Sequence, residues 1–254
     1  MTTKEVTSKE ITRKYRTTAS VVGVMYLMGF VVGLGGEALI QSVLSAPNHL
    51  ATVSANSMML AIGAVLWLMA VIGDAAHGVL MFPVLKPHGE RIAFGYFGAR
   101  IMDAVFIALM VIFLLLQIPL GSAYLQAAAP VTIHLQTLSA VSVQLSQYAY
   151  QIGMSTLGIA GLLLCYTLYK AKLVPRFLAV WGLVGYAIIL VGMVSEIMGS
   201  GLGLASSIPG GLWEVFIGVW LIAKGFSSSA PVALTATTID LTEPLAPWPA
   251  PANS

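Results

Sequence analysis

Two pairs of polar residues with helical spacing stand inside long apolar segments of this sequence. Asp74 and His77 are three residues apart, and Arg100 and Asp103 repeat that spacing in the next apolar segment. Residues three apart lie on one face of a helix, so each pair is expected to point in one direction. Glu214 is a further such residue, near the middle of the last apolar segment. Charged groups at such positions are costly, and they usually face a protein interior and mark a functional site.

Three kinds of site would use these side chains. Arg100 can bind two carboxylates at once, so the group could be a buried ion-pair network that fixes helix packing. The excess of acid over base also suits a site that binds or passes a proton, a cation or an amine, with the imidazole of His77 able to titrate near neutral pH. A third option is a hydrolytic metal site built from His77, Asp74 and either Asp103 or Glu214. Because histidine-rich ligand spacing is absent, no metal and no cofactor are expected.

A second group of polar residues lies at the other ends of the apolar segments. Glu37 comes towards the end of the first segment, and Glu196 closes the fifth. Gln144, Gln147 and Gln151 follow the i, i+3, i+7 spacing of one helix face. If these side chains converge, they form a polar vestibule at the outer face of a membrane. The alternative is that each is a hydrated helix end or interfacial face.

The composition sets the kind of element that carries these residues. The chain has 254 residues, of which 58% are hydrophobic and 9% are charged, whereas a soluble domain has about 25% charged residues. Such a chain cannot cover its surface with polar groups, so lipid must be its solvent over much of its area. The formal net charge of +2 gives no indication of a nucleic-acid partner. A single cysteine, Cys165, excludes an intramolecular disulfide.

Six largely apolar runs are each long enough to cross a bilayer as a helix. They lie near Ala19–Val43, Ser57–Leu85, Tyr96–Leu120, Ala149–Tyr169, Phe177–Met198 and Leu204–Ala223. The sequence therefore predicts an all-α fold, a polytopic membrane bundle of six transmembrane helices within residues 18–226. Residues 1–17 are predicted to form a polar N-terminal segment and residues 227–254 a disordered tail. Gly29 and Gly33 form a GxxxG pair that would permit close contact between helices.

The loops indicate how the bundle is oriented. All 12 basic residues fall on one side of the predicted spans. The loops near Pro47–Asn56, Gly121–Gln147 and Gly199–Ser207 contain no lysine or arginine. The positive-inside rule assigns the basic side to the cytoplasm, so both termini are expected inside.

Four stretches, taken in their order along the chain, are similar to a known family. They are Met81–Lys86 (MFPVLK), Gly95–Asp103 (GYFGARIMD), Leu173–Tyr186 (LVPRFLAVWGLVGY) and Trp213–Phe226 (WEVFIGVWLIAKGF). On these residues the chain resembles the bacterial membrane proteins grouped as domain of unknown function family 4386, over roughly residues 15–226. The resemblance implies the six-helix fold and a multi-pass location in the bacterial cytoplasmic (inner) membrane. The family has no settled activity, so the resemblance implies no function.

The resemblance also bears on single residues. Asp74, Arg100 and Glu214 match polar positions of the family pattern. Asp103 stands where a glutamate is expected, which changes its distance to any partner. His77 lies outside the pattern, which argues against a family-wide metal or proton role for it.

These observations together favour a non-enzymatic membrane protein whose polar core binds or passes a small cationic or protonatable species. In this hypothesis Arg100 organises Asp103 and Glu214, while Asp74 and His77 titrate or contact the ligand. The expected partners are the lipid bilayer and a small cation, proton or amine. Two alternatives remain: an intramembrane enzyme acting on a lipid-like substrate, with or without a metal, and a structural or partner-binding subunit.

Overall fold

The computed structural model describes residues 3–227, and the side chains of residues 15–203 and 205–227 within them. This part of the chain is helical and contains no strand, which confirms the predicted all-α class. Its α-helices are α1 (Thr3–Leu44), α2 (His49–Ala55), α3 (Ser57–Leu85), α4 (Glu90–Leu115), α5 (Gln117–Gln126), α6 (Val131–Lys170), α7 (Arg176–Ile197) and α8 (Gly203–Ala223). The tail predicted to be disordered lies, except for Ser227, outside the described residues.

Six helical stretches are long and apolar enough to cross a membrane, as predicted. They are Tyr15–Leu44, Ser57–His88, Glu90–Gln126, Val131–Lys170, Arg176–Ile197 and Ala205–Ala223. The longest helices are α1 and α6, which run for 42 and 40 residues. At about 1.5 Å per residue, such helices exceed a hydrocarbon core about 30 Å thick. Their polar ends therefore continue as helix beyond the apolar run.

The six long helices form a closed ring in chain order. α1 packs against α3 and α8, and the ring continues through α4, α6 and α7. Large aromatic side chains from different helices meet inside this ring. The Tyr26 ring of α1 lies 6.0 Å from that of Trp213 of α8, and Tyr186 of α7 lies 5.3 Å from the same tryptophan. The faces that point outward carry exposed apolar side chains, as contact with lipid requires.

One end of the ring, which we call the basic end, holds both ends of the described chain. Arg16 of α1 donates hydrogen bonds to the carbonyls of Ile222 and Ala223 at 2.8 and 3.2 Å. The backbone N–H of Ser227 donates to the carbonyl of Leu173, in the α6–α7 turn, at 2.8 Å. The basic end carries Lys86, Arg91, Lys170, Lys172, Arg176 and Lys224. Its assignment to the cytoplasm stays a prediction.

The closest helix contacts use glycines other than the GxxxG pair. A Cβ added to Gly29 would meet nothing within 4 Å. A Cβ on Gly23 would instead lie 2.6 Å from the carbonyl oxygen of Gly218, where α1 crosses α8. A Cβ on Gly36 would lie 2.9 Å from the carbonyl oxygen of Gly63, where α1 crosses α3. These positions have no room for a side chain, and they hold the ring closed around α1.

Two apolar clusters fill the interior and leave a polar interval between them. The cluster at the basic end includes Tyr96 of α4, and the cluster at the opposite end includes Ile107 of the same helix. Arg100 and Asp103 lie on α4 between these two positions, and both are buried. The ring therefore presents a layer of polar groups at mid-depth.

Candidate functional site

Arg100 is the centre of this polar layer, which we define as Asp74, His77, Arg100, Asp103 and Glu214. Its Nη2 atom donates a hydrogen bond to Oδ1 of Asp74 on α3, and its Nη1 atom lies 3.5 Å from Oδ2 of Asp103. The close approach of α3 is permitted by Gly78, where an added Cβ would lie 3.1 Å from the Cβ of Arg100. The two polar pairs singled out by their spacing thus meet across the α3–α4 contact.

Several polar atoms in the layer and beside it are buried without a hydrogen-bond partner among the described residues. They are Nε of Arg100, both carboxyl oxygens of Asp103, Nε2 of His77 and the hydroxyl of Tyr96. Leaving one such atom unsatisfied costs about 1–3 kcal/mol, and native structures usually satisfy it with protein, ordered water or ligand. The polar layer therefore has hydrogen-bonding capacity that the described side chains leave unused.

His77 is held in the layer by an aromatic contact. Its ring centroid lies 4.3 Å from that of Tyr26 on α1, with the two planes at 87° to each other. This edge-to-face arrangement suits the charge distribution of aromatic rings. His77 is 3% exposed, so α1 and α3 enclose its imidazole together.

Glu214 has a different partner from the one expected. Its Oε1 atom accepts a hydrogen bond of 2.8 Å from the hydroxyl of Tyr186 on α7. Arg100 is close enough to interact electrostatically with Glu214, but its ion pairs are with Asp74 and Asp103. The reason is the ring order, because α7 is a direct neighbour of α8 and α4 lies across the ring from it.

The members of the layer differ in how far their side chains are exposed. The Asp74 side chain is 30% exposed, whereas those of Arg100 and Asp103 are 6% and 1% exposed. Asp74 occupies the middle of the candidate span Ser57–His88 and is bonded to a buried partner. Asp74 is therefore the least enclosed carboxylate of the Arg100 group.

The glutamines predicted to form one stripe are divided between two environments. Gln144 and Gln147 are exposed, whereas Gln151 is buried. Besides Gln151, the buried polar residues of α6 in this region are Ser139, Ser142 and Ser146. The sequence spacing was compatible with a glutamine stripe, but helix packing turns a row of serines inward instead.

The two carboxylates of the predicted vestibule also have separate surroundings. Glu37 accepts a hydrogen bond of 2.8 Å from Nε2 of Gln41, one turn further along α1. Glu196 accepts one of 2.8 Å from the backbone N–H of Gly203, across the α7–α8 connection. Of the two, Glu37 lies within electrostatic range of Tyr150 of α6, and Ser207 of α8 donates to the carbonyl of Gly203. A single vestibule that contains all the proposed residues therefore stays a prediction.

Sequence reasoning missed the tyrosines around the layer. Tyr26, Tyr96 and Tyr186 are buried beside it. The i, i+4 spacing of Tyr96 and Arg100 was a usable signal, since it places both on one face of α4. The contact between Tyr186 and Glu214 joins two helices and has no local signal.

A second buried polar group, the Ser139 cluster, joins three helices at the opposite end. The Nε2 atom of His49 on α2 lies 2.7 Å from Oγ of Ser139 on α6. That hydroxyl donates to Oε1 of Gln117 on α5 at 2.5 Å, and Nε2 of Gln117 donates to the Ser139 carbonyl at 3.2 Å. The cluster links α2, α5 and α6 by hydrogen bonds, and it carries no formal charge when His49 is neutral.

Neither polar group is arranged as a metal centre. Within the part of the chain that the structure describes, no group of three or more histidine, cysteine, aspartate or glutamate side chains could hold a metal ion. Cys165 is fully buried at the α6–α7 contact, where its Sγ would lie 2.4 Å from a Cβ added to Gly182.

Comparisons with known proteins identify the chain at the level of its family. A search of curated proteins and a search of solved structures each found no significant match. A family model, described as Domain of unknown function (DUF4386), matches residues 21–225 and so includes every residue of the polar layer. With six apolar helices and a family match over most of its length, the chain is an integral, multi-pass membrane protein that belongs to the DUF4386 family.

Proposed function

We propose that the polar layer binds a small cation, a proton or a small amine inside the helix ring. The observation that carries this proposal is the balance of charge around Arg100. Two carboxyl groups, those of Asp74 and Asp103, pair with this one guanidinium, and a third acid, Glu214, lies in the same layer and accepts a hydrogen bond from Tyr186. The guanidinium compensates one carboxylate, and the other two acids need a further positive charge or a proton.

The cost of unpaired charge in such a place is large. An ion that loses its water without a partner costs several kcal/mol, even after the protein relaxes. Each remaining acid therefore has to carry a proton or, as a carboxylate, lie next to a cation. Cation binding replaces the first of these states by the second. The carboxyl oxygens of Asp103, which accept no hydrogen bond from the described residues, supply ligand atoms for it.

The surroundings of the layer favour entry from the end opposite the basic end. Glu37, Tyr150 and Ser207 extend polar groups in that direction. Towards the basic end the interior is closed by large apolar side chains, including Trp213 and Met81. Apolar clusters close the interior on both sides of the layer, so binding from the opposite end requires the cluster that contains Ile107 to open, and passage through the ring would require both clusters to open.

The proposal is tested by covalent labelling of the purified protein with dicyclohexylcarbodiimide, which reacts with protonated carboxyls in apolar surroundings. We expect adducts at Asp103 or Glu214, located by peptide mass spectrometry, and less labelling when sodium or methylammonium is present. Asp103→Asn and Glu214→Gln should each remove the corresponding adduct. Glu196→Gln is the matched control, because Glu196 binds a backbone N–H outside the layer.

A purely structural network would behave differently in the same experiment. If the ion pairs only fix α3 against α4, no cation should change either the labelling or the melting temperature of any variant. That result would overturn the binding proposal. The enzyme and partner-subunit alternatives stay predictions.

A further inference from the structure

A cavity of about 220 Å³ opens at the basic end between α4 and α6. Its wall is formed by His88, Ile92, Tyr166, Thr167, Lys170 and Ala171. We propose that this cavity binds the phosphate head group of an anionic glycerophospholipid. The site is separate from the polar layer, and the proposal does not depend on cation binding there.

The charge around the cavity suits an anion. Among the described side chains, the basic end has one ion pair, between Lys86 and Glu90 at 3.2 Å. Lys170, on the cavity wall, has no acidic partner among these side chains, and its ammonium lies 5.7 Å from the ring centroid of Tyr166. Basic pockets between membrane helices are typical sites for anionic lipid head groups. A phosphate would supply the anion that the local side chains lack.

The aromatic residues beside the cavity indicate its depth. Tyr166 and Tyr169 are 44% and 39% exposed in the last turns of α6. The guanidinium of Arg176 lies 5.7 Å from the ring centroid of Tyr169. Exposed tyrosines next to basic side chains are typical of the membrane interface, where amphipathic rings lie at the level of the head groups. The cavity thus lies where lipid phosphates are concentrated.

The outer surface of α4 distinguishes a lipid from free phosphate. Below Ile92, this helix exposes Gly95 and Gly98 towards the bilayer. A Cβ on Gly95 would lie 3.2 Å from Cδ1 of Leu163 on α6, and one on Gly98 would meet nothing within 4 Å. Because neither position carries a side chain, the face of α4 one to two turns from Ile92 is shallow, and we call this face the groove. An acyl chain would use this groove, and free phosphate would not.

The test compares lipid binding to the full chain in mild detergent by native mass spectrometry. The probes are phosphatidylglycerol, phosphatidylcholine with the same acyl chains, and inorganic phosphate. We expect preference for phosphatidylglycerol, weakened about fivefold by Lys170→Gln, because one lysine at a membrane surface contributes about 1 kcal/mol to anionic lipid binding. Lys224→Gln is the control, since it removes an exposed positive charge at the same end outside the cavity.

A second variant tests the groove without changing the charge. Gly98→Leu places a side chain in open space, so the protein should fold normally and bind phosphatidylglycerol more weakly. Equal weakening by Lys170→Gln and Lys224→Gln would overturn the site in favour of diffuse surface charge. Equal binding of both lipids, or inorganic phosphate that competes as well as phosphatidylglycerol, would also overturn it.

Discussion

The polar layer and the Ser139 cluster are both buried among apolar helices, but they differ in charge and in hydrogen bonding. In the Ser139 cluster, His49, Gln117 and Ser139 form a continuous set of hydrogen bonds. In the polar layer, oppositely charged side chains meet, and Nε of Arg100 and both carboxyl oxygens of Asp103 have no hydrogen-bond partner among the described residues. The two regions lie in the same bundle, so the membrane alone does not explain the difference.

Buried polar groups can therefore have two different consequences for a helix bundle. A neutral, fully bonded cluster costs little and specifies which helices pack together. A charged group with unused bonding capacity costs stability, and a well-packed apolar replacement is often neutral or stabilising. The Ser139 cluster is therefore explained by packing, whereas the polar layer is the place where we propose that a ligand binds. The following predictions test this contrast.

The largest effect is expected at Arg100. Arg100→Met leaves Asp74 and Asp103 without their shared cation, so the variant should lose about 3–5 kcal/mol of stability. Adding Asp74→Asn and Asp103→Asn to the same protein should recover most of that loss. Thermal unfolding in detergent measures both variants. If Arg100→Met alone were as stable as the wild type, the ion pairs would contribute nothing to the stability of the fold.

A smaller loss is expected in the Ser139 cluster. Ser139→Ala removes the hydroxyl that joins His49 to Gln117 and leaves the amide oxygen of Gln117 unpaired, at a cost of about 1–3 kcal/mol. The same unfolding assay applies. Carbodiimide labelling of the polar layer, and its protection by cations, should be unchanged in this variant. A changed cation response would mean that the two regions are coupled and that the contrast between them is wrong.

Glu214→Gln should have a smaller effect on stability but a clear effect on binding. The amide oxygen can still accept the hydrogen bond of Tyr186, so the loss should be below about 1 kcal/mol. The variant should nevertheless lose cation-dependent stabilisation, because one acid of the layer is gone. A variant that keeps the full cation response would remove Glu214 from the proposed site.

The least perturbing test concerns access to the layer. In a background with Cys165→Ala, single cysteines at positions 74 and 103 report exposure to a small water-soluble thiol reagent. We expect Asp74→Cys to react faster than Asp103→Cys, since the native side chains are 30% and 1% exposed. Equal rates in two folded variants would contradict a route that reaches Asp74 first. Labelling of intact and inverted membranes would identify the side from which the reagent arrives.

Much of the fold could be predicted because it depends on properties local to the chain. Six spans follow from the length and hydropathy of each apolar run, and the structure confirms their number. The contact between Asp74 and Arg100 could be anticipated, because each belongs to a pair of polar residues with helical spacing, and the two pairs lie at similar depth on consecutive spans. The family match over residues 21–225 confirms the resemblance seen in four short stretches.

Which residues share a helix face, and how far along its segment each lies, can be predicted from the sequence because helical rise and twist are constant along a segment. Which faces are in contact depends on the packing of the helices in the tertiary structure. The ring order places Tyr186 beside Glu214 and leaves Arg100 to Asp74 and Asp103. It also turns the serines of α6 inward, and it closes α1 against its neighbours at Gly23 and Gly36 rather than at the GxxxG pair. These choices depend on close packing between segments that are distant in sequence, which spacing within one segment does not encode.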